Sequence, residues 1–202
     1  MIRYLAAAIL SAGFAASADA QQYDSAYTRI DDDCVLVEHV DEPVWDTICD
    51  GFGGWTVEIV AGEHGAAEAY RAPDGARSDY INPPMRGLFG GYGEVIEWRL
   101  SGGVPFATIH RYINDTPAMM DPDNAGEWHT LVVTALRPGT DIVACAAAYI
   151  DASSLANANE IARQAADQLA IDWQCGVEEP QMFTADSEYD VMTIAAQRRP
   201  GH

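Results

Sequence analysis

The chain has 202 residues, of which 49% are hydrophobic, and a formal net charge of −20 in which every one of the 11 basic residues is an arginine. A field of that sign repels nucleic acid and anionic membranes, so we expect neither as a partner. The length suits a single domain that buries a substantial core.

The N-terminus predicts a secretory signal peptide over residues 1–20. Arg3 precedes an apolar core that runs from Tyr4 to Phe14, and Ala18-Asp19-Ala20 fits a cleavage site, although a cut after Ala18 is also compatible. No later stretch approaches the roughly 20 apolar residues that a bilayer span needs. We therefore expect a periplasmic or secreted protein, cleaved near Ala20 and without a membrane span.

The next part of the chain predicts short strands separated by turns. Strands are expected at 34–40, 55–62 and 66–71, with a turn-rich connection at 41–54 and a long loop at 72–93, where Gly and Pro are frequent. This part also carries aromatic residues that form either an exposed recognition surface or a second small core, namely Trp45, Trp55, Tyr70, Tyr80, Phe89 and Tyr92.

A hairpin is predicted around Ser101, Gly102 and Gly103, because a glycine pair suits a two-residue turn. With the two glycines at the centre of the turn, Leu100 faces Pro105, Trp98 faces Ala107 and Ile96 faces Ile109, all on one apolar face. Ser101 is then a turn residue rather than a nucleophile, since the G-x-S-x-G pattern is missing. The tip of this hairpin, Ser101 to Gly103, remains a candidate contact for a partner.

A second hairpin joins strands at 128–136 and 141–150 through Pro138-Gly139, the pair expected in a type II turn. In the tightest register, Leu131, Val133 and Ala135 face Ala146, Ala144 and Ile142. Both faces of the 141–150 strand are apolar, which predicts a central strand covered on both sides.

A helix follows over 155–172, with Ser153 or Ser154 as its cap and apolar residues at helical spacing. The polar tail 176–202 is expected to dock weakly or not at all, so residues 21–175 form the predicted domain. The helix would span about 27 Å and the preceding strand about 20 Å. A helix that folds back over that strand therefore returns Cys175 close to Cys145.

The four cysteines after the signal, Cys34, Cys49, Cys145 and Cys175, imply two disulfides in an exported chain. Of three possible connectivities we favour Cys34–Cys49 with Cys145–Cys175. The predicted fold is α+β: an antiparallel meander of about six or seven strands with one C-terminal helix packed on it.

Several segments, among them YTRIDDDC, EVIEWRL, PFATIHRY, LVVTALRPG, ACAAAYIDA and ANEIARQAADQLA, together resemble a family of small uncharacterised exported bacterial proteins. The resemblance covers residues 27–175. It implies no biochemical function, and no functional residue can be transferred from it. In such relatives a His typically follows the cysteine that corresponds to Cys145, and Ala146 stands at that position here. The resemblance therefore implies that a reaction relying on that His cannot run in this chain.

Candidate chemistry is sparse. His110 and His129 lie on neighbouring predicted strands with Asp121 and Asp123 between them, and two His with one carboxylate can bind a metal ion. A buried, hydrogen-bonded His is the commoner arrangement. The acidic segments 30–33 and 121–127 lack the spacing of a calcium loop.

Three functions follow from these patterns. The favoured one is a non-catalytic, exported binding protein whose partner is another protein or a component of the cell envelope, with no cofactor. An inhibitor of an envelope hydrolase such as lysozyme, acting through the hairpin tip, is an alternative. A metal-dependent enzyme that uses His110 and His129 is the third.

Overall fold

The computed structural model describes residues 23–31, 34–87, 89–116, 120, 122–123 and 125–199. The signal peptide predicted over 1–20 lies outside these residues. The described strands are β1 (Asp24–Arg29), β2 (Val35–Glu38), β3 (Trp45–Asp50), β4 (Thr56–Ala61), β5 (Ala66–Arg71), β6 (Phe89–Ser101), β7 (Val104–Thr116), β8 (Gly126–Leu136), β9 (Ala144–Asp151) and β10 (Gln181–Phe183). The helices are α1 (Ala158–Gln168) and α2 (Val191–Arg198).

The strands form two sheets. The large sheet has the order β1-β6-β7-β8-β9-β10, and the small sheet has the order β2-β3-β4-β5. The inner face of the small sheet packs on one face of the large sheet, where Val57, Ile59 and Tyr70 meet Ile96 and Trp98. Helix α1 covers the opposite face of the large sheet, so the large sheet is the middle layer of three.

The alanines of α1 explain how closely this helix approaches the large sheet. Ala158, Ala162, Ala165 and Ala166 are all buried against side chains of β7, β8 and β9. Small side chains allow the helix backbone to lie near the strands, and larger residues such as Trp173 then fill the end of the same core.

The structure confirms the predicted fold class and both disulfides. The protein is α+β with a mainly antiparallel large sheet, and Cys34–Cys49 and Cys145–Cys175 are bonded. The strands are divided between two sheets rather than joined in one meander. Strands β1 and β3 lie where the sequence predicted no strand, and β3 falls within the expected turn-rich connection.

The β6–β7 hairpin has the predicted turn but not the predicted register beyond it. Gly102 and Gly103 have φ values of 58° and 83°, and Leu100 faces Pro105 as expected. An irregularity between Arg99 and Leu100 then shifts the pairing by one residue, so Trp98 faces Thr108. This shift places Ala107 and Ile109 on the side of α1, opposite to the face that carries Ile96 and Trp98.

The β8–β9 connection is longer than predicted. The Pro138-Gly139 turn is present, with Gly139 at a φ of 80° and the Thr140 amide donating to the Arg137 carbonyl at 3.3 Å. The loop nevertheless continues to Val143, so Leu131 faces Ile150 rather than Ala146. The prediction of a central strand holds, because β9 lies between β8 and β10 and is buried on both faces.

The C-terminal segment is part of the domain, contrary to the weak docking that its polarity indicated. Strand β10 pairs in parallel with β9, and Phe183 is buried in the core beneath α1. Helix α2 packs on α1 and buries Val191 and Ala195. A few well-placed apolar residues in a polar segment are enough to dock it. In the described part of the chain, no helix has the length and apolar character required to cross a bilayer.

Candidate functional site

The hairpin tip proposed from the sequence is exposed. Gly102 and Gly103 lie on the surface, and an added Cβ at either position would have no neighbour within 4 Å. Val104, next to the turn, is also exposed, and Ser101 is partly exposed. The tip ends two strands of 13 residues each. It therefore presents a small convex surface with one apolar side chain.

The structure does not bring the proposed metal ligands together. His110 faces Val132 and His129 faces Ile113 in an uninterrupted β7–β8 register, so the two imidazoles lie on opposite faces of the large sheet. Asp123 is exposed in a turn, and Asp121 lies outside the described residues. Among the residues that the structure describes, no group of three or more His, Cys, Asp or Glu could hold a metal ion. One ion cannot bind both histidines.

His110 instead forms a buried pair with Glu68 of the small sheet. Its Nδ1 lies 2.8 Å from Glu68 Oε2, its Nε2 lies 2.7 Å from the Gly93 carbonyl oxygen, and both side chains are fully buried. A carbonyl oxygen can only accept, so Nε2 carries a hydrogen and donates it. The Nδ1–Oε2 contact then requires one further proton, on either the imidazole or the carboxyl group. The pair thus links the two sheets and has no net charge.

Tyrosines enclose this pair. Tyr92 stacks on the His110 ring with centroids 4.7 Å apart, and Tyr70 accepts a hydrogen bond from Thr108 at 2.9 Å. Burial, reinforced by the nearby Glu68 carboxyl group, raises the pKa of both Tyr70 and Tyr92. Both phenols are therefore neutral, and the Glu68 and His110 side chains that they adjoin are themselves fully buried. We interpret this cluster as a structural link between the sheets.

Sequence reasoning missed Glu68 as the partner of His110. The signal was present in the alternation of residues 66–71, which places Glu68 on the same face of its strand as Tyr70. What the alternation could not supply was the second sheet, because a four-stranded sheet packed across β7 is a long-range arrangement.

Five of the six aromatic residues named from the sequence separate into two groups, and Phe89 is partly buried. Trp55, Tyr70 and Tyr92 belong to the core between the sheets, as the second of the two sequence interpretations required. Trp45 and Tyr80 are exposed, as the first required. Trp45 begins β3 and lies next to the edge strand β2. Trp45 therefore belongs to an exposed surface formed with β2 and not to the core between the sheets.

We call this feature the β2 surface and define it as Val35, Leu36, Val37, Glu38 and Trp45. Every side chain of β2 is exposed, with Val35 at 61%, Leu36 at 58% and Val37 at 39%, and Trp45 is 42% exposed. Apolar residues this exposed on an edge strand are the arrangement that folded proteins ordinarily avoid or cover. These side chains are exposed because β4 and β5 are the strands that pack on the large sheet. Strand β2 is the edge strand of the small sheet and extends beyond that contact.

The outer edge of β2 offers main-chain hydrogen-bonding groups. The His39 amide donates to the Val44 carbonyl at 3.2 Å, which fixes the alternation of bonded pairs between β2 and β3. By that alternation Val35 and Val37 bond to β3, and the N–H and C=O groups of Leu36 and Glu38 point outward. No described strand pairs with this edge.

An acidic groove accompanies the same strand. Leu36, Val44 and Trp45 form its apolar part, Glu38 and Glu42 are its carboxylates, and its volume is about 390 Å³. The acidity extends along the chain, because residues 30–70 contain 11 Asp or Glu and no Arg or Lys, although Glu58 is bonded by Arg71 and Arg77 and Glu68 pairs with His110. The β2 surface therefore combines exposed apolar side chains, a main-chain edge and negative charge.

Comparison of the chain with protein-family models, with curated proteins and with solved structures finds no match in any of the three.

Proposed function

We propose that the chain is an exported, non-catalytic binding protein that contacts another protein or a component of the cell envelope through the β2 surface. The observation that carries this proposal is the edge strand β2, whose four side chains are all exposed and of which three are apolar. Burying such a strand against a partner removes apolar area from water and satisfies its outward main-chain groups.

Two further features support a binding role. The bonded cysteines suit the oxidising compartment that the N-terminal sequence predicts. His110, one of the two histidines that the sequence indicated as metal ligands, has both ring nitrogens engaged inside the core. Nucleic acid is disfavoured as a partner because the net charge is −20.

The test is capture of the partner from an envelope extract of the parent organism with the immobilised protein. The variant Trp45→Ala with Val35→Thr removes apolar area from the β2 surface. Val177→Thr serves as the matched control, because Val177 is exposed outside this surface. We expect the β2 variant to lose the captured protein and the control to keep it. Equal capture by both variants would exclude the β2 surface as the contact.

The exposed hairpin tip supports a second candidate, inhibition of an envelope hydrolase such as lysozyme. Gly102, Gly103 and Val104 form a convex end that could enter a cleft. The measurement is the activity of several lysozyme types with the protein in excess, alongside a Val104→Asp variant. Inhibition that Val104→Asp abolishes would support this candidate, and undiminished lysozyme activity with the unaltered protein would remove it.

A further inference from the structure

We propose that the partner of the β2 surface presents a basic, extended segment that adds to β2 as a further strand of the small sheet. This inference rests on the proposed function and specifies the chemistry of the partner. It depends on three observations: the direction of the main-chain groups of β2, the arrangement of its side chains, and the sign of the surrounding charge.

The main chain specifies an extended segment. Leu36 and Glu38 each direct one N–H and one C=O away from β3, so their outward groups alternate with the inward groups of Val35 and Val37. A strand is the structure whose own donors and acceptors recur with that period. A helix would contact the apolar side chains but would leave these groups without partners.

The side chains specify which residues the segment carries. Leu36, Glu38 and Trp45 share the face of the small sheet that borders the acidic groove. A cross-strand neighbour of Leu36 on that face is best apolar, and a neighbour of Glu38 is best an arginine or lysine. The segment therefore alternates apolar and basic residues along one of its faces.

The charge argues against a second copy of this chain as the occupant. A two-fold pairing of β2 with itself, centred on Val37 or Glu38, would place Glu38 of each copy diagonal to or directly opposite Glu38 of the other. Residues 30–70 provide no Arg or Lys to compensate these carboxylates. Like charges placed opposite each other disfavour strand pairing, whereas a basic segment neutralises them.

The probe is the amidated peptide Thr-Val-Thr-Arg-Thr-Val-Thr-Arg, with the same peptide carrying Glu in place of Arg as its control. Each peptide is titrated into the full protein at low salt, and binding is followed by NMR, through the chemical shifts of the backbone amides. We expect the basic peptide to bind at least about ten-fold more tightly than the acidic one, with affinity falling as salt is added.

Hydrogen exchange gives the geometric readout. On binding the basic peptide, the amides of Leu36 and Glu38 should exchange more slowly, while those of Val35 and Val37, which already bond to β3, change little. Glu38→Pro removes the outward N–H in a position where an edge strand tolerates proline, and Glu38→Gln removes the charge alone. We expect Glu38→Pro to weaken binding at least about five-fold beyond Glu38→Gln.

Three outcomes would overturn the inference. One is equal binding of the two peptides, and another is protection at amides away from β2. The third is a dimer, shown by sedimentation, whose Leu36 and Glu38 amides are protected before any peptide is added. If the β2 variant loses the captured partner but the basic peptide gives no protection at Leu36 and Glu38, this inference alone fails and the proposed function stands.

Discussion

Glu68 provides a buried polar contact between the two sheets, in addition to their apolar core, through its pairing with His110. Glu68→Ala would leave His110 Nδ1 buried without its partner at 2.8 Å. Removing one member of a buried pair costs about 3–5 kcal/mol, and we expect the free energy of unfolding to fall by that amount. Glu68→Gln should cost less, about 1–2 kcal/mol, because an amide can donate to neutral imidazole. Urea unfolding measures both.

A surface pair provides the comparison for Glu68. Glu94 bonds Arg29 where both side chains are mostly exposed. Its replacement by Ala should change the free energy of unfolding by less than about 1 kcal/mol. A Glu68→Ala variant as stable as Glu94→Ala would show that the buried pair does not hold the sheets together.

Two adjacent glycines give a second test of packing between the sheets. A Cβ on Gly90 would lie 2.4 Å from Tyr112 Oη and 2.6 Å from Asn114 Nδ2, both of which belong to buried side chains. A Cβ on Gly91 would have no neighbour within 4 Å. We expect Gly90→Ala to destabilise by about 1–3 kcal/mol and Gly91→Ala to be neutral or slightly stabilising. The melting temperatures of the two variants are compared by thermal unfolding. Equal values would contradict the tight packing at Gly90.

The sequence predicted most of the strands but not how they pair. The alternation in 66–71 defined β5 to the residue, and the glycine pair defined the turn between β6 and β7. The register beyond that turn failed because an irregularity beside Arg99 shifts the alternation by one. Nothing local distinguishes a strand with such a bulge from a regular one, and its effect shows only in the packing, where Ala107 and Ile109 lie on the α1 side and Ile96 and Trp98 on the other.

The same limit applies to the candidate site. The sequence indicated that exposed aromatics could form a recognition surface, and Trp45 is one of them. It could not identify β2 as an edge strand, because exposure of Val35 and Leu36 depends on which strands the large sheet leaves uncovered. The hairpin tip was recognisable because its turn is formed by adjacent residues.

Strand β10 tests whether the C-terminal segment belongs to the folding unit. Phe183 is buried in the core and its neighbour Met182 is 40% exposed. We expect Phe183→Ala to lower the free energy of unfolding by about 3–5 kcal/mol and Met182→Ala to change it by less than about 1 kcal/mol. Both are measured by urea unfolding, with one transition expected for each variant. Similar small losses would mean that this segment docks weakly, as its polarity first indicated.

Three carboxylates whose pKa lies below the ordinary value connect the large sheet to α1, β9 to the loop that carries Arg86, and the segment before β10 to α2. Burial opposes ionisation of Glu97, but hydrogen bonds from Arg163 of α1 and Ser25 of β1 outweigh it and lower its pKa. For Asp151 burial is likewise outweighed, here by Arg86 and Ser154. A bond from Arg198 of α2 is the largest influence on Glu178, whose pKa is also lowered. Protonation of Glu97, Asp151 and Glu178 in acid should therefore weaken all three of these contacts over the same pH range.

Glu97→Gln isolates one of these contributions. Because the pKa of Glu97 is lower in the folded chain, its stabilisation is complete above the unfolded value of about 4.3 and is lost as the pH falls through the folded pKa. We expect the variant to be less stable than the unaltered protein by about 1.5–3 kcal/mol at pH 7, with the difference shrinking as the pH falls below about 4.3.

Urea unfolding at pH 7, 5 and 3 measures this difference between the two proteins. Acid also neutralises part of the net charge of −20 and so reduces self-repulsion. That effect acts almost equally on both proteins and cancels in the comparison. Glu160→Gln, on the exposed side of α1, controls for the loss of one carboxylate. A Glu97→Gln difference that stays constant from pH 7 to pH 3 would show that the Glu97 charge does not join α1 to the large sheet.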